Sequence, residues 1–176
     1  ELEETLKELE GYRGRHTEFI TVLIPAGFNI HQVIKQIEDE KGTASNIKSN
    51  STRKNVISAL EKAARKMKDL GRTPPNGIAI FSGNISDVEG KDDLRIWAIE
   101  PPKPMKMRLY RCDQTFVLDP LKEMLETEEV YGLLIIERKE ATIGILDGKS
   151  IKVLKTVHSG IPSKVRAGGQ SAMRFH

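Results

Sequence analysis

Three short groups of residues carry side chains that could do chemistry, and the first is Asn46-Ile47-Lys48-Ser49. It places an amide, an ammonium group and a hydroxyl within four residues. An amide offers a donor and an acceptor to the edge of a base, and an ammonium group can reach a phosphate or a base carbonyl. The group therefore suits recognition of nucleic-acid bases. Asn and Ser are also ordinary residues of a loop that caps a following helix, and this second interpretation stays open.

The second group is Tyr110, Cys112 and Phe116, whose positions are spaced by two and four residues. In an uninterrupted strand this spacing would place all three side chains on one face of a sheet. Aromatic rings on an exposed sheet face stack on unpaired bases in many RNA-binding domains, and Arg108 and Arg111 flank the group. The alternative is that this face belongs to the hydrophobic core.

The third group is Gly168-Gly169-Gln170, near the end of the chain. Paired glycines permit a positive φ and the close approach of another backbone or a ligand. The Gln170 amide can position a reactant, but it does not ionise near neutral pH and so cannot act as a general base. Lys164 and Arg166 precede the group, which suits a phosphate-rich setting. A flexible glycine-rich segment is the alternative interpretation.

The basic residues are concentrated in two segments of a chain whose formal net charge is only +3. Residues 41–68 contain eight Lys and Arg and one acidic residue, and residues 148–176 contain six Lys and Arg and no acidic residue. Each Lys or Arg placed on a phosphate releases counterions and strengthens binding. Two basic segments therefore indicate two contacts with RNA or DNA, unless they are only solvated helix faces.

Length and composition narrow the classes of protein further. A chain of 176 residues has room for one ordinary domain and part of a second. It has no apolar run long enough for a membrane span and no basic-then-apolar leader, so we expect a soluble cytoplasmic protein. One Cys and four scattered His give no metal-ligand spacing, and no phosphate-binding loop or dinucleotide fingerprint occurs. We therefore expect neither a metal nor a cofactor.

The groups must be positioned by an α+β first domain, over residues 1–127. Apolar periodicity and capping residues predict four helices. The first covers residues 1–11, and the second runs from Asn29 to about Gly42. After a polar loop at 43–50, the third ends at Gly71, and the fourth runs from Asp119 to about Thr127. Strands are predicted over 18–24, 78–81, 94–99 and 105–116. The result is an antiparallel or mixed sheet packed by helices, with a projecting helix-loop-helix that carries Asn46 to Ser49.

Three more strands, over 130–137, 141–146 and 151–157, predict a new sheet after a boundary near residues 127 to 130. The segment 159–176 has no apolar periodicity. We therefore assign residues 128–176 to the beginning of a second, β-rich α/β domain.

The three groups, taken together and in this order, resemble the class 1 translation termination factors of archaea and eukaryotes. The matching segments are Thr43-Ala44-Ser45-Asn46-Ile47-Lys48-Ser49, Pro74-Pro75-Asn76-Gly77, Cys112-Asp113-Gln114-Thr115-Phe116, which looks archaeal, and Gly168-Gly169-Gln170-Ser171-Ala172. The resemblance runs from about residue 11 to residue 176. It implies that the first domain recognises stop codons in the ribosomal A site. It also implies that the second carries Gly-Gly-Gln to the peptidyl transferase centre, where peptidyl-tRNA is hydrolysed.

The resemblance also implies which residues line the codon pocket. They are Asn46, Ile47, Lys48, Ser49, Tyr110, Cys112 and Phe116, with Glu40 at the place of a family glutamate that helps to read purines. Eukaryotic members have Gly-Thr-Ser at a further pocket element, where this chain has His16-Thr17-Glu18. Only Thr17 is retained, so Thr17 joins the predicted site and His16 and Glu18 do not.

The partners that the resemblance implies are the ribosome with its A-site rRNA, the mRNA stop codon and peptidyl-tRNA. A translational GTPase would bind through a C-terminal domain that this chain lacks, so we expect the chain to be a fragment of a monomeric factor. A methyltransferase acting on the Gln170 side-chain nitrogen is a further expected partner. The protein would promote hydrolysis on the ribosome and would not be an enzyme in isolation.

Two other functions remain open at this point. An RNA-binding module unrelated to termination would explain the basic segments but not the Gly-Gly-Gln group. A ribosome-rescue paralogue would share the architecture but is expected to lack both the Asn-Ile-Lys-Ser and the Gly-Gly-Gln groups. The sequence ranks neither the three stop codons nor the methylation state of Gln170.

Overall fold

Helices and strands of the first part of the chain begin and end at residues with capping or turn chemistry. The computed structural model describes residues 1–126 with their side chains, and residues 130–137, 140–147 and 150–158 as backbone. Over residues 1–126 the elements are α1 Leu2–Glu10, β1 Phe19–Ile24, α2 Ile30–Ala44, α3 Asn50–Leu70, β2 Ile78–Asn84, β3 Leu94–Ile99, β4 Leu109–Asp113 and α4 Asp119–Glu126. The chain divides into two compact units, Glu1–Lys122 and Glu123–His176.

The first unit is built on a four-stranded antiparallel sheet in the order β3-β2-β1-β4. β1 is central: Ile20 lies opposite Ser82 of β2 on one side and Cys112 of β4 on the other. Both faces of β1 are covered, so every one of its six residues is buried. This is why its sequence is continuously apolar instead of alternating. The predicted α+β class with an antiparallel sheet is confirmed.

The two faces of this sheet have different coverings. Side chains alternate along a strand, so Ile20 and Val22 face the α2 and α3 side, where they join a core cluster with Ile37, Leu60 and Met67. The opposite face carries an aromatic cluster. Its members are Phe19, Phe81, Trp97, Phe116 and Tyr12. The central strands of the sheet are thus covered on both faces.

The two long helices follow their predicted caps closely. The Asn29 side chain accepts a hydrogen bond from the His31 N–H (2.9 Å) at the start of α2, and the Ser49 hydroxyl accepts one from the Thr52 N–H (3.4 Å) at the start of α3. Gly71, with φ of 73°, ends α3 as expected. α2 runs two residues beyond the predicted end at Gly42, because a helical glycine weakens a helix without breaking it.

The predicted strand over 105–116 is too long at both ends. Only Leu109–Asp113 forms a ladder, with β1. Met105 instead bonds to two loops, donating to the Asn76 carbonyl and accepting from the Ala26 N–H, both at 2.9 Å. After Asp113 the chain leaves the ladder, and the Val117 N–H donates to the Thr21 hydroxyl at 3.0 Å. Phe116 therefore cannot share the face of Tyr110 and Cys112.

The second unit contains a three-stranded antiparallel sheet in the order β5-β6-β7, formed by Val130–Glu137, Glu140–Asp147 and Ser150–His158. These strands match the three that the sequence predicts. The ladder between β6 and β7 shifts register between Ile143 and Gly144. Within the described residues, no helix has the length and apolar character needed to span a membrane.

Candidate functional site

The segment Asn46–Ser49 forms the tip between α2 and α3. Successive turns hold its backbone: the Asn46 N–H donates to the Thr43 carbonyl (3.1 Å) and the Ile47 N–H to the Ala44 carbonyl (3.0 Å). Ile47 is half-buried against the helix-side core, whereas Asn46, Lys48 and Ser49 are exposed. One apolar anchor therefore fixes a turn whose polar side chains face solvent.

Arg53 of α3 supports this tip from below. One of its guanidinium nitrogens donates to the Ile47 carbonyl at 2.8 Å, and the other donates to the Asn50 side-chain oxygen. A planar guanidinium with two fixed acceptors holds the turn against the helix that follows it. Lys48 makes no hydrogen bond or ion pair with any of residues 1–126, so its ammonium group is available to an anionic partner.

A second group of predicted residues meets on the helix side of the sheet. Tyr110 and Cys112 pair with Val22 and Ile20 across the β1–β4 ladder, and both are half-buried beside the core. The Cys112 thiol donates to the carbonyl of Thr17 at 3.0 Å, and Thr17 itself is exposed. The structure thus brings three predicted site residues, Thr17, Tyr110 and Cys112, into one place.

The electrostatics of this group keep its side chains neutral. Burial, followed by the negative charges of Asp113, Glu18 and Glu40, raises the pKa of Cys112 to about 11. Burial also raises the pKa of Tyr110, with smaller contributions from Cys112 and Glu40. Glu40, near the end of α2, therefore acts on both side chains. Near neutral pH the group presents a hydroxyl and a thiol as donors, and a carboxylate as an acceptor.

Phe116 does not belong to this group, and the predicted shared face is wrong for it. Its ring stacks on Phe19 with 4.3 Å between centroids and meets Phe81 and Trp97 edge to face. It is 6% exposed. Because β4 ends at Asp113, Phe116 lies on the opposite face of the sheet, where the core interpretation holds. The Phe116 side chain thus packs against β1 and β2, through Phe19 and Phe81.

The tip and the Tyr110–Cys112 group border the same core. Ile47, Tyr110 and Cys112 all pack against the cluster formed by α2, α3 and β1. Glu40 lies six residues before Asn46 on α2, the helix that leads into the tip. The tip and the Tyr110–Cys112 group are therefore both supported by the helix-side core, and together they are the candidate surface.

Sequence reasoning missed a buried polar network beside this surface. Glu18 is 2% exposed, and its carboxylate accepts a hydrogen bond from the Asn55 amide at 2.7 Å. Asn84 then donates to the Asn55 side-chain oxygen at 3.1 Å. A carboxylate directly before an apolar, central strand was the available signal, because buried carboxylates need a specific partner.

Gly168, Gly169 and Gln170, the third predicted group, lie outside the described residues. Among the described residues, no three His, Cys, Asp or Glu side chains are arranged so that they could hold a metal ion. The groups described above offer recognition chemistry: hydrogen-bond donors, an acceptor and the exposed ammonium group of Lys48.

Family models match most of the chain. The model for eRF1 domain 1 matches residues 1–126, and the model for eRF1 domain 2 matches residues 130–176. Proteins named peptide chain release factor subunit 1 from Thermococcus onnurineus and Thermococcus kodakarensis are each 54% identical over 99% of this chain and 42% of their own length. The chain thus spans about two fifths of the length of these curated relatives.

A solved structure is similar as well. The crystal structure described as that of archaeal translation termination factor aRF1 is 33% identical, with a TM-score of 0.65. The match covers 93% of this chain and 45% of that one. This similarity supports the α+β class of the fold.

Proposed function

Because the chain belongs to the eRF1 family, we propose that it recognises stop codons in the ribosomal A site and takes part in peptide release. The observation that carries this proposal is the exposed, hydrogen-bonded tip, together with the Tyr110–Cys112 group that borders the same core. The tip is held in a fixed turn, and its free cation, Lys48, has no partner among residues 1–126. The names of the Thermococcus relatives support a role in termination.

The chemistry of the surface fits a purine-containing codon. The Glu40 carboxylate can accept hydrogen bonds from the amino groups of adenine and guanine, and the Tyr110 hydroxyl can donate to base acceptors. The Asn46 amide can do both. The Lys48 ammonium group can donate hydrogen bonds to a phosphate or a base carbonyl, and the exposed Thr17 hydroxyl can do the same. Three further residues hold these groups in place. Ile47 packs on the core, Ser49 caps α3, and the Cys112 thiol donates to the Thr17 carbonyl.

Hydrolysis would be the task of Gly168-Gly169-Gln170. We infer that the glycines allow this segment to approach the ester between peptide and tRNA, and that the Gln170 amide and backbone N–H orient a water molecule. A neutral amide cannot abstract a proton, so rRNA and the substrate supply the rest of the site. The protein is accordingly not an enzyme in isolation.

The proposed division of labour follows the chain. Residues 1–127 recognise the codon, and residues 128–176 begin the domain that acts in the peptidyl transferase centre, which the separate family matches support. The resemblance adds a translational GTPase that binds a further domain, a methyltransferase for Gln170, and a monomeric, cytoplasmic protein. No observation favours an RNA-binding module unrelated to termination or a ribosome-rescue paralogue.

The test is binding of this chain to archaeal ribosomes that carry peptidyl-tRNA and either UAA or a sense codon in the A site. We expect tighter binding at UAA. Lys48→Ala should raise the dissociation constant at UAA about tenfold, or ~1.4 kcal/mol, because one phosphate or base contact is lost. Lys106→Ala, which removes another exposed positive charge outside residues 46–49, is the control. Equal, salt-sensitive binding at both codons would instead identify a general RNA-binding fragment.

A further inference from the structure

Glu18 is the one carboxylate among residues 1–126 that is buried, and no positive charge accompanies it. It is 2% exposed, and no Lys, Arg or His nitrogen of residues 1–126 lies within 4.0 Å of it. Burying a carboxylate is costly unless hydrogen bonds compensate for the lost water. Here the Asn55 amide of α3 donates to the carboxylate at 2.7 Å. A neutral donor from another element thus holds a residue at the entrance of β1.

The Asn55 side chain is itself held by its neighbours. Asn84, at the end of β2, donates to the Asn55 oxygen at 3.1 Å, so the Asn55 amide nitrogen is directed toward Glu18. The Asn84 oxygen accepts from the backbone N–H groups of Ser86 and Asp93, each at 3.0 Å. Every bond fixes the orientation of the next amide. The network therefore joins β1, α3, β2 and the loop after β2.

The residue before Glu18 is Thr17, which lies in the proposed codon surface. Its carbonyl accepts the Cys112 thiol at 3.0 Å, while the side chain of the next residue is fixed by Asn55. The exposed Thr17 side chain thus stands between two anchors, one on β4 and one on α3. α3 is also the helix that begins at the tip, through the Ser49 cap.

We propose that Glu18 and Asn55 form a positioning pair that fixes Thr17 relative to the Asn46–Ser49 tip and thereby sets stop-codon selectivity. The inference rests on the proposed function and names two residues that contact no base themselves. Hydrogen bonds from two directions determine where the Thr17 hydroxyl lies. A shift of this loop would change which bases it can reach, without altering the charge of the surface.

The hydrogen-bond directions provide a sharp set of variants. Glu18→Gln keeps an oxygen acceptor for Asn55, so it should leave the pair intact. Asn55→Asp places two carboxylates at a contact of 2.7 Å and should open it. In the Glu18→Gln/Asn55→Asp double variant the donor and acceptor are exchanged, and the carboxylate introduced on α3 can still accept from Asn84. Asn55→Ala removes the donor without adding a charge.

The measurement is the dissociation constant of each variant for ribosomes with UAA, UAG, UGA or a sense codon, together with its thermal unfolding. Asn55→Asp and Asn55→Ala should weaken stop-codon binding about tenfold and leave sense-codon binding unchanged, while the double variant returns to within about twofold of the wild type. A purely structural role would weaken all four complexes equally. If Asn55→Asp does not fold, Asn55→Ala and the double variant decide the question.

The rate of Cys112 alkylation without ribosomes is a second readout, because the thiol is bound to the Thr17 carbonyl. Asn55→Ala, which adds no negative charge near the thiol, should accelerate it, and the double variant should keep the wild-type rate. The positioning pair is overturned if Asn55→Ala keeps the wild-type preference for stop over sense codons, or if Glu18→Gln fails to rescue Asn55→Asp. A wild-type chain with no stop-codon preference would instead overturn the proposed function, and the alkylation rates would still show whether the pair positions Thr17.

Discussion

At the scale of single residues, the Tyr110–Cys112 group offers neutral donors close to the carboxyl group of Glu40. Cys112 and Tyr110 are half-buried, and burial is the largest cause of the raised pKa of each. A thiol or phenol that ionised at neutral pH would repel Glu40 and the phosphates of an mRNA. Keeping both protonated leaves the thiol as the donor to the Thr17 carbonyl and the phenol as a possible donor to a base.

Alkylation of Cys112 tests this protonation state. With its pKa raised to about 11, the thiolate fraction near pH 8 should be about a hundredfold below that of an ordinary thiol, and iodoacetamide should react correspondingly slowly. Stability that comes from the neutral thiol is full below its unfolded pKa and is lost as the pH rises through about 11. Asp113→Asn should lower the pKa and speed the reaction. A rate equal to that of the urea-unfolded chain would contradict the prediction.

The residue spacing predicted the shared face of Tyr110 and Cys112 but not the position of Phe116. Tyr110 and Cys112 share a face because their two-residue spacing lies within β4. The assignment failed for Phe116, since the strand ends when Val117 finds an acceptor on Thr21, nearly a hundred residues away. No local pattern contains that partner. Glu18 was left out because it departs from the Gly-Thr-Ser of eukaryotic members, and its buried bond to Asn55, on another element, has no local signature.

At the scale of elements, the turn before β2 has no room for a side chain at Gly77. Gly77 has φ of +81°, and a Cβ there would collide with the Ile24 carbonyl oxygen and lie 3.0 Å from the Met105 Cβ. Its N–H closes the turn on the Pro74 carbonyl at 2.9 Å. The turn thereby packs the end of β1 against the segment that precedes β4.

Gly77→Ala should therefore lower the free energy of unfolding by about 3 kcal/mol or more, combining backbone strain with a steric clash. Gly27→Ala is the matched control, because Gly27 has φ of +77° and open space around the added methyl group. It should cost only the strain, about 1–2 kcal/mol. Urea unfolding of both variants gives the comparison, and equal losses would refute the close approach.

Helix ends were predictable because their determinants are local. Asn29, Ser49 and Gly71 each act within four residues of the terminus that they set. Strand ends and strand order are determined by partners far along the chain. β1 lies between β2 and β4, an order that periodicity alone does not give.

At the scale of the whole molecule, the proposal places decoding and hydrolysis in different parts of the chain. The test protein is the Thermococcus onnurineus relative in which residues 1–176 of this chain replace the matching segment. In that protein, either Gly168→Ala or Gly169→Ala should reduce peptide release at UAA by at least about a hundredfold. Binding at UAA should stay within about twofold of the parent. Gly160→Ala is the control for an added methyl group in the same terminal segment. Release that survives both changes would show that these glycines have no positional role.

The rigid support of the tip has a consequence for the energetics of recognition. Backbone turns, the half-buried Ile47 and the Arg53 guanidinium already restrict the backbone of residues 46–49 before any RNA arrives. The conformational entropy of this backbone is lost during folding, so it does not oppose association. Mainly the mRNA must then be ordered when the complex forms. Differences in affinity among codons would consequently report how readily each triplet adapts its own shape to a fixed protein template.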